Sequence, residues 1–182
     1  MRLLLQGNKQ KAETLGQALR HRSNGDMRRR RGVFGLFLAA TASVSVIALY
    51  QMGILKSVPE PNFPGLGSER ITRSAKAYSL LATPDAVLAI ASYATTMTLA
   101  AMGSPDRAAE QPVFAIAFAA KVGFDAVLAA KYTLDEWREH HALCFWCLLS
   151  TAAVAASVPL VIPEARRAFQ SLSPPRLLRP EL

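Results

Sequence analysis

The sequence predicts an all-α integral membrane protein, a four-helix bundle with a short amphipathic lid helix on the extracytoplasmic side. Three observations predict it. Apolar residues make up 51% of the 182. Charges nevertheless crowd the first 31 residues, the connections and the tail, leaving long apolar stretches between them. That segregation belongs to a polytopic membrane chain rather than to a soluble core. Finally, the chain's two cysteines stand three apart in Cys144-Phe145-Trp146-Cys147, where the last apolar run opens.

The first run spans about 33–55. It follows Arg28, Arg29, Arg30 and Arg31, which supply much of the net charge of +8. The polar segment before it is long and the run exceeds a signal-peptide core, so a retained anchor is expected. The arginines read as a topology signal that could also attract anionic lipid headgroups. A nucleic-acid surface would interleave aromatics with the basic residues, and the first 31 residues hold none.

The second run spans about 84–102, with Thr83 as a cap, Pro84 at the first helical position and Gly103 at the end. The third spans about 112–132. The fourth spans about 143–162, where Pro159 is expected to bend or fray the helix. Each is near the roughly 20 residues that cross a bilayer. Small residues are frequent in all four and favour close helix approach. Residues 1–32 read as a basic cytoplasmic segment, 33–163 as the membrane domain and 164–182 as a cytoplasmic tail.

Orientation follows from the cations. Nine Lys and Arg precede the first run, Arg107 lies in the second connection and four follow the last run. The opposite side carries Lys56, Arg70, Arg73, Lys76, Lys131 and Arg138. The bias puts both termini in the cytoplasm. The cysteines then face the oxidising side of a cell membrane, where disulfides persist.

The longest connection, 56–83, begins with Pro59, Pro61, Pro64, Gly65 and Gly67 and cannot be a regular helix there. From Ser68 to Leu81, Ile71, Ala75, Tyr78 and Leu81 fall near helical spacing, which predicts the lid.

Cys144 and Cys147 are one helical turn apart and can close into a disulfide and reopen. A helix N-terminus or a nearby cation would lower a thiol's pKa. Thr133-Leu134-Asp135-Glu136 reads as a capping box. It predicts a fourth helix that starts before the cysteines, with His140 one turn below Cys144. The plain alternative is two buried, inert cysteines. His140, His141, Cys144 and Cys147 are also four possible metal ligands, but on one continuous helix they would not converge, and no metal is expected.

Lys121 and Asp125, four apart inside the third run, predict an internal ion pair. They could also form a proton relay or a polar contact to a bound headgroup. Tyr93 lies mid-run, and its hydroxyl needs a partner, either a neighbouring helix or a quinone carbonyl. Phe145 and Trp146 are interfacial aromatics that could also line an apolar pocket beside the thiols. Tyr50, Tyr132 and Trp137 fit an aromatic belt.

The stretch from Ser74 to Pro84, followed by Ala86-Val87-Leu88-Ala89 and Tyr93, resembles the lid-to-second-span segment of the vitamin K epoxide reductase family. Cys144-Phe145-Trp146-Cys147-Leu148-Leu149 is similar to that family's redox motif. With the four-run topology, the resemblance covers about 33–162. It implies a bundle around a quinone, menaquinone or ubiquinone. Cys147 would meet the quinone, and Cys144 would be the shuttle thiol exchanging with a thioredoxin-like extracytoplasmic protein. Two departures stand out. Relay members carry a second cysteine pair in the loop after the first span, and this loop has none. Thr151 stands where some relatives have a quinone-contacting tyrosine. The activity implied is quinone-linked thiol oxidation. The alternative is a non-catalytic membrane module of the same fold that binds a partner protein or a lipid.

Overall fold

The computed structural model describes residues 12–17, 20–21, 24–61, 63–78 and 82–172. Expectations for the extreme termini and for residues 79–81 of the lid lie outside the described residues.

The first long helix, α1, covers Gly25–Gln51 and follows helical residues at 12–17 and 20–21. Asn24 caps it, its side chain accepting from the Met27 N–H at 2.8 Å. This start lies eight residues before the expected one. Asp26, Met27 and Arg30 are buried in the packing, so they belong to the folded unit rather than to a separate basic segment. A short helix, α2 (Ser68–Thr72), and a 3-10 turn at Ala75–Tyr78 follow in the loop. Then come α3 (Asp85–Ala101) and a single turn, α4 (Arg107–Glu110). The last two helices are long: α5 (Pro112–His140) and α6 (Phe145–Leu172). Pro112 sits in the first turn of α5, where its missing N–H costs nothing.

Helices α1, α5 and α6 are long and apolar enough to cross a membrane, which makes this a multi-pass membrane protein; α3 is apolar but shorter. At 1.5 Å per residue α5 is about 43 Å long, more than the roughly 30 Å of bilayer hydrocarbon. Large apolar residues such as Val113, Phe124 and Val127 remain exposed on α5, as a lipid-facing surface requires. No strand occurs among the described residues; a single bridge joins Leu66 to Leu143.

Helix α6 packs against α1 and α5, and α1 also packs against α3. Their shared core contains Val33, Phe37, Val44, Tyr93, Phe118, Val122, Val154 and Val161. Where the helices meet, Ala40, Thr96 and Ser157 are fully buried, and such small side chains permit close approach.

Two corrections concern α6. Pro159 and Pro163 lie inside it, and the helix continues to Leu172 instead of fraying. Each proline forfeits one backbone bond. Packing past them compensates: Val161, Glu164 and Ala168 are buried, and Ala168 joins a small cluster with Ala108 and Ala115. Residues 164–172 are therefore part of the packed helix and not of a tail.

Candidate functional site

The cysteines do not lie inside a continuous helix, contrary to the capping-box expectation. Helix α5 runs straight through Thr133–Glu136 and ends at His140, where His141 adopts a left-handed conformation at φ 47°. The Thr133 hydroxyl donates back to the Ala129 carbonyl at 3.0 Å, so it caps nothing. The Glu136 carboxylate instead accepts the Cys144 N–H at 3.4 Å. The box residues thus serve the start of α6 from outside it. The break also dissolves the one-turn relation between His140 and Cys144.

Helix α6 begins immediately after Cys144. The Cys144 carbonyl accepts the first intrahelical bond, from the Leu148 N–H at 2.9 Å. Its sulfur accepts the Cys147 N–H at 3.2 Å. Cys144 is therefore the N-cap, with a thiol where serine or aspartate usually stands. Both sulfurs sit at the N-terminal end of α6. Their side chains are within hydrogen-bonding reach of each other, and both are free thiols.

The connection after α1 is tied to this helix start. Leu143 N–H donates to Gly65 O at 2.9 Å, and Gly67 N–H to Leu143 O at 3.1 Å. Phe145 N–H donates to Ser68 Oγ at 3.1 Å. The Trp146 indole N–H donates to the Pro59 carbonyl at 2.7 Å. Trp146 thus anchors the loop and does not line the cavity beside the thiols. Under this strap Cys144 is 0% exposed. It packs with Ile47, Val58, Ile71, Ala86 and Ala142.

Lid residues tie the rest of the cap down. The Arg73 guanidinium lies over the Tyr50 ring, 5.5 Å from its centroid, and also donates to its hydroxyl. Tyr50 is thus more than a belt residue. Lys76 bridges to Glu139 at 3.0 Å and Asp135 at 3.4 Å on α5. The hydrogen bond that Lys76 donates to the Glu139 carboxylate raises the ammonium's pKa above its ordinary 10.5.

Cys147 faces inward. It lines a cavity of about 100 Å³ with Tyr93, Thr151, Asp85, Glu136 and Ser150 among its walls. A second cavity of about 230 Å³ shares Asp85, Ala89, Tyr93, Ala129 and Tyr132 with the first and reaches Asp125. An apolar cavity of about 150 Å³ can hold benzene, so the pair has room for one aromatic ring and a substituent. The Tyr93 hydroxyl pairs with Ser150 Oγ at 2.9 Å. Thr151 Oγ1 meets Thr133 Oγ1 at 3.2 Å.

Lys121 and Asp125 form the expected ion pair at 2.6 Å. Ser92 and Thr96 hydroxyls donate to the Asp125 carboxylate at 2.7 and 2.6 Å, and Lys121 also reaches Ser92 and Thr96. The cluster is internally satisfied. Among the described residues no group of three or more His, Cys, Asp or Glu is arranged to hold a metal.

The profile of the vitamin K epoxide reductase family matches residues 31–162. The chain belongs to that family. No curated protein and no solved structure matches it significantly. Within the vitamin K epoxide reductase family this member has a reduced cysteine content: the loop that leads from α1 to α2 contains none. Ser68 Oγ accepts from Phe145, and Glu69 accepts the Val58 N–H at 3.1 Å.

Sequence reasoning missed Asp85, Glu136, Ser150 and Thr133 at the cavity. A signal existed for the first two, since carboxylates beside apolar helices are costly unless used. Glu136 was absorbed by the capping-box reading.

Proposed function

We propose that this protein is a membrane thiol-disulfide oxidoreductase that passes electrons from thiols to a quinone through Cys144 and Cys147. The observation that carries the reading is the position of Cys147. Its thiol lies near a helix N-terminus and borders a cavity that, together with the adjoining cavity of about 230 Å³, has room for a ring. Family membership supports menaquinone or ubiquinone as the occupant. Tyr93 and Thr151 would be its hydroxyl partners, while Lys121 and Asp125 would act from the second cavity as a polar support. Trp146 would steady the strap above the thiols. Cys144 would exchange with a thioredoxin-like protein, leaving the Cys144–Cys147 disulfide as the oxidant for that partner.

The reading includes a topology. All four helices α1, α3, α5 and α6 would cross a cell membrane, the α2 segment would form a lid, and both termini would be cytoplasmic. The cation distribution supports it.

A second reading is favoured by the cysteine-free loop and asks for fewer steps. In it the same bundle binds a partner protein or a lipid without turnover. The two readings separate in one experiment. Purified protein in nanodiscs is given a dithiol reductant and a menaquinone or ubiquinone analogue, beside Cys147→Ser. Turnover in the wild type that vanishes in the variant supports the oxidoreductase. Equal rates in both, or no turnover with any quinone, leaves the binding module.

A further inference from the structure

Glu136 reaches the thiol side of the cavity from α5. Its carboxylate accepts the Cys144 N–H at 3.4 Å, beside the start of α6. It lines the same cavity as Cys147, Tyr93 and Asp85. Among the described residues it forms no ion pair. Lys76, the nearby cation, is engaged by Glu139 and Asp135. Asp85 is held by the Gln51 amide at 2.7 Å. A carboxylate that shares a cavity wall with a half-buried thiol, with no ion-pair partner among the described residues, is set up to exchange a proton with that thiol.

We propose that Glu136 is the proton acceptor and donor for Cys147, a catalytic residue of the reaction proposed above, on which this inference rests. The Cys147 S–H bond breaks and its proton moves to the Glu136 carboxylate. The thiolate that results carries the electrons. When the Cys144–Cys147 bond forms, both thiols have lost their protons and the pair has given up two electrons. The quinone takes the two electrons and two protons and becomes a hydroquinone. Glu136 delivers the Cys147 proton to one quinone oxygen and, once discharged, carries the Cys144 proton to the other. The groups facing Glu136 are Cys144 and Cys147 on α6, Asp85 and Tyr93 on α3, Lys76 on the lid turn, and Tyr132, Asp135, Glu139 and His140 on its own helix.

The test uses Glu136→Gln, which keeps an acceptor for the Cys144 N–H but cannot take a proton. Quinone turnover should fall by about 100-fold or more in kcat, the usual range for losing a general base. The quinone KM should be little changed, and the acidic limb of the pH–rate profile should disappear. A second measurement needs no quinone. In a Cys144→Ser background, alkylation of Cys147 is followed against pH with and without Glu136→Gln. A thiol sharing a proton with a carboxylate titrates in two steps. That profile should collapse to one step in the variant. A kcat within threefold of wild type, or a one-step profile in both proteins, would overturn the proposal. If wild type does not reduce quinone, the oxidoreductase reading is lost, and the alkylation profiles still decide whether Glu136 and Cys147 share a proton.

Discussion

The two ends of the helical core treat buried charge in opposite ways. At the end where residues 24 and 172 lie, every buried charged side chain among the described residues is hydrogen-bonded. Arg107 is 0% exposed; it donates to Glu164 at 2.7 Å and to the Leu99 and Met102 carbonyls at 2.6 Å. Arg30 donates to the Ala100, Met102 and Ser104 carbonyls. Two guanidinium groups thereby satisfy the orphan carbonyls at the C-terminus of α3, which a short helix in a membrane protein cannot leave bare. At the cysteine end, Glu136 and Asp85 face a cavity without an ion pair among the described residues. One end closes on hydrogen bonds and ion pairs. The other leaves its carboxylates facing a cavity.

The sharpest way to break this contrast is Arg107→Ala. It strands Glu164, which is 2% exposed, inside the packing. Removing one partner of a buried pair costs about 3–5 kcal/mol. Unfolding in detergent, by heat or denaturant, should register that loss, whereas Glu136→Gln should move stability by less than about 1 kcal/mol. Comparable losses would erase the distinction between the ends. Next in size is Tyr93→Phe, which leaves the buried Ser150 hydroxyl without its partner and should cost about 1–2 kcal/mol in the same assay. Asp26→Asn comes third. Its partners Arg29 and Arg167 have side chains 39% and 51% exposed, so solvent screens the pairs. The loss should stay below about 1 kcal/mol and shrink further in high salt.

The smallest effect is set by pH. The Lys76 pKa is raised in the folded state, so its contribution is complete below the ordinary 10.5 and is lost as pH climbs through the higher folded value. Raising pH past that point should loosen the lid before the core. Hydrogen exchange of residues 68–78 should therefore accelerate while that of α1 does not. Simultaneous loosening would show that the Lys76 bridge does not hold the lid separately.

Much of this fold could be read from the sequence because the membrane imposes coarse constraints. The start of α5 followed from Pro112, and Lys121–Asp125 pairing followed from spacing alone; α3 instead starts at Asp85, with Pro84 and not Thr83 as its N-cap. The ends of the long helices did not. Local propensity stops α6 at Pro159, but burial of Val161, Glu164 and Ala168 carries it on. The cavity was half legible. Cys147 and Tyr93 were expected there, and Thr151 fell on its wall. Glu136 was hidden because Thr133-x-x-Glu136 is a sound local start signal, and only the neighbouring Cys144 shows that the carboxylate caps a different helix. Trp146 moved the other way: its indole finds the Pro59 carbonyl in a loop whose path no periodicity specifies.

The strap across Cys144 has a kinetic consequence. A soluble disulfide or dithiol needs in-line access to a sulfur that the Pro59–Ser68 segment covers, and that segment is held by four hydrogen bonds, from Leu143, Gly67, Phe145 and Trp146. Those bonds must open before any mixed disulfide can form. Exchange with an external partner would therefore reach a ceiling as partner concentration rises, at the rate at which the strap lifts. A molecule that occupied the cavity beside Cys147 would encounter no such ceiling. The two thiols answer to different clocks.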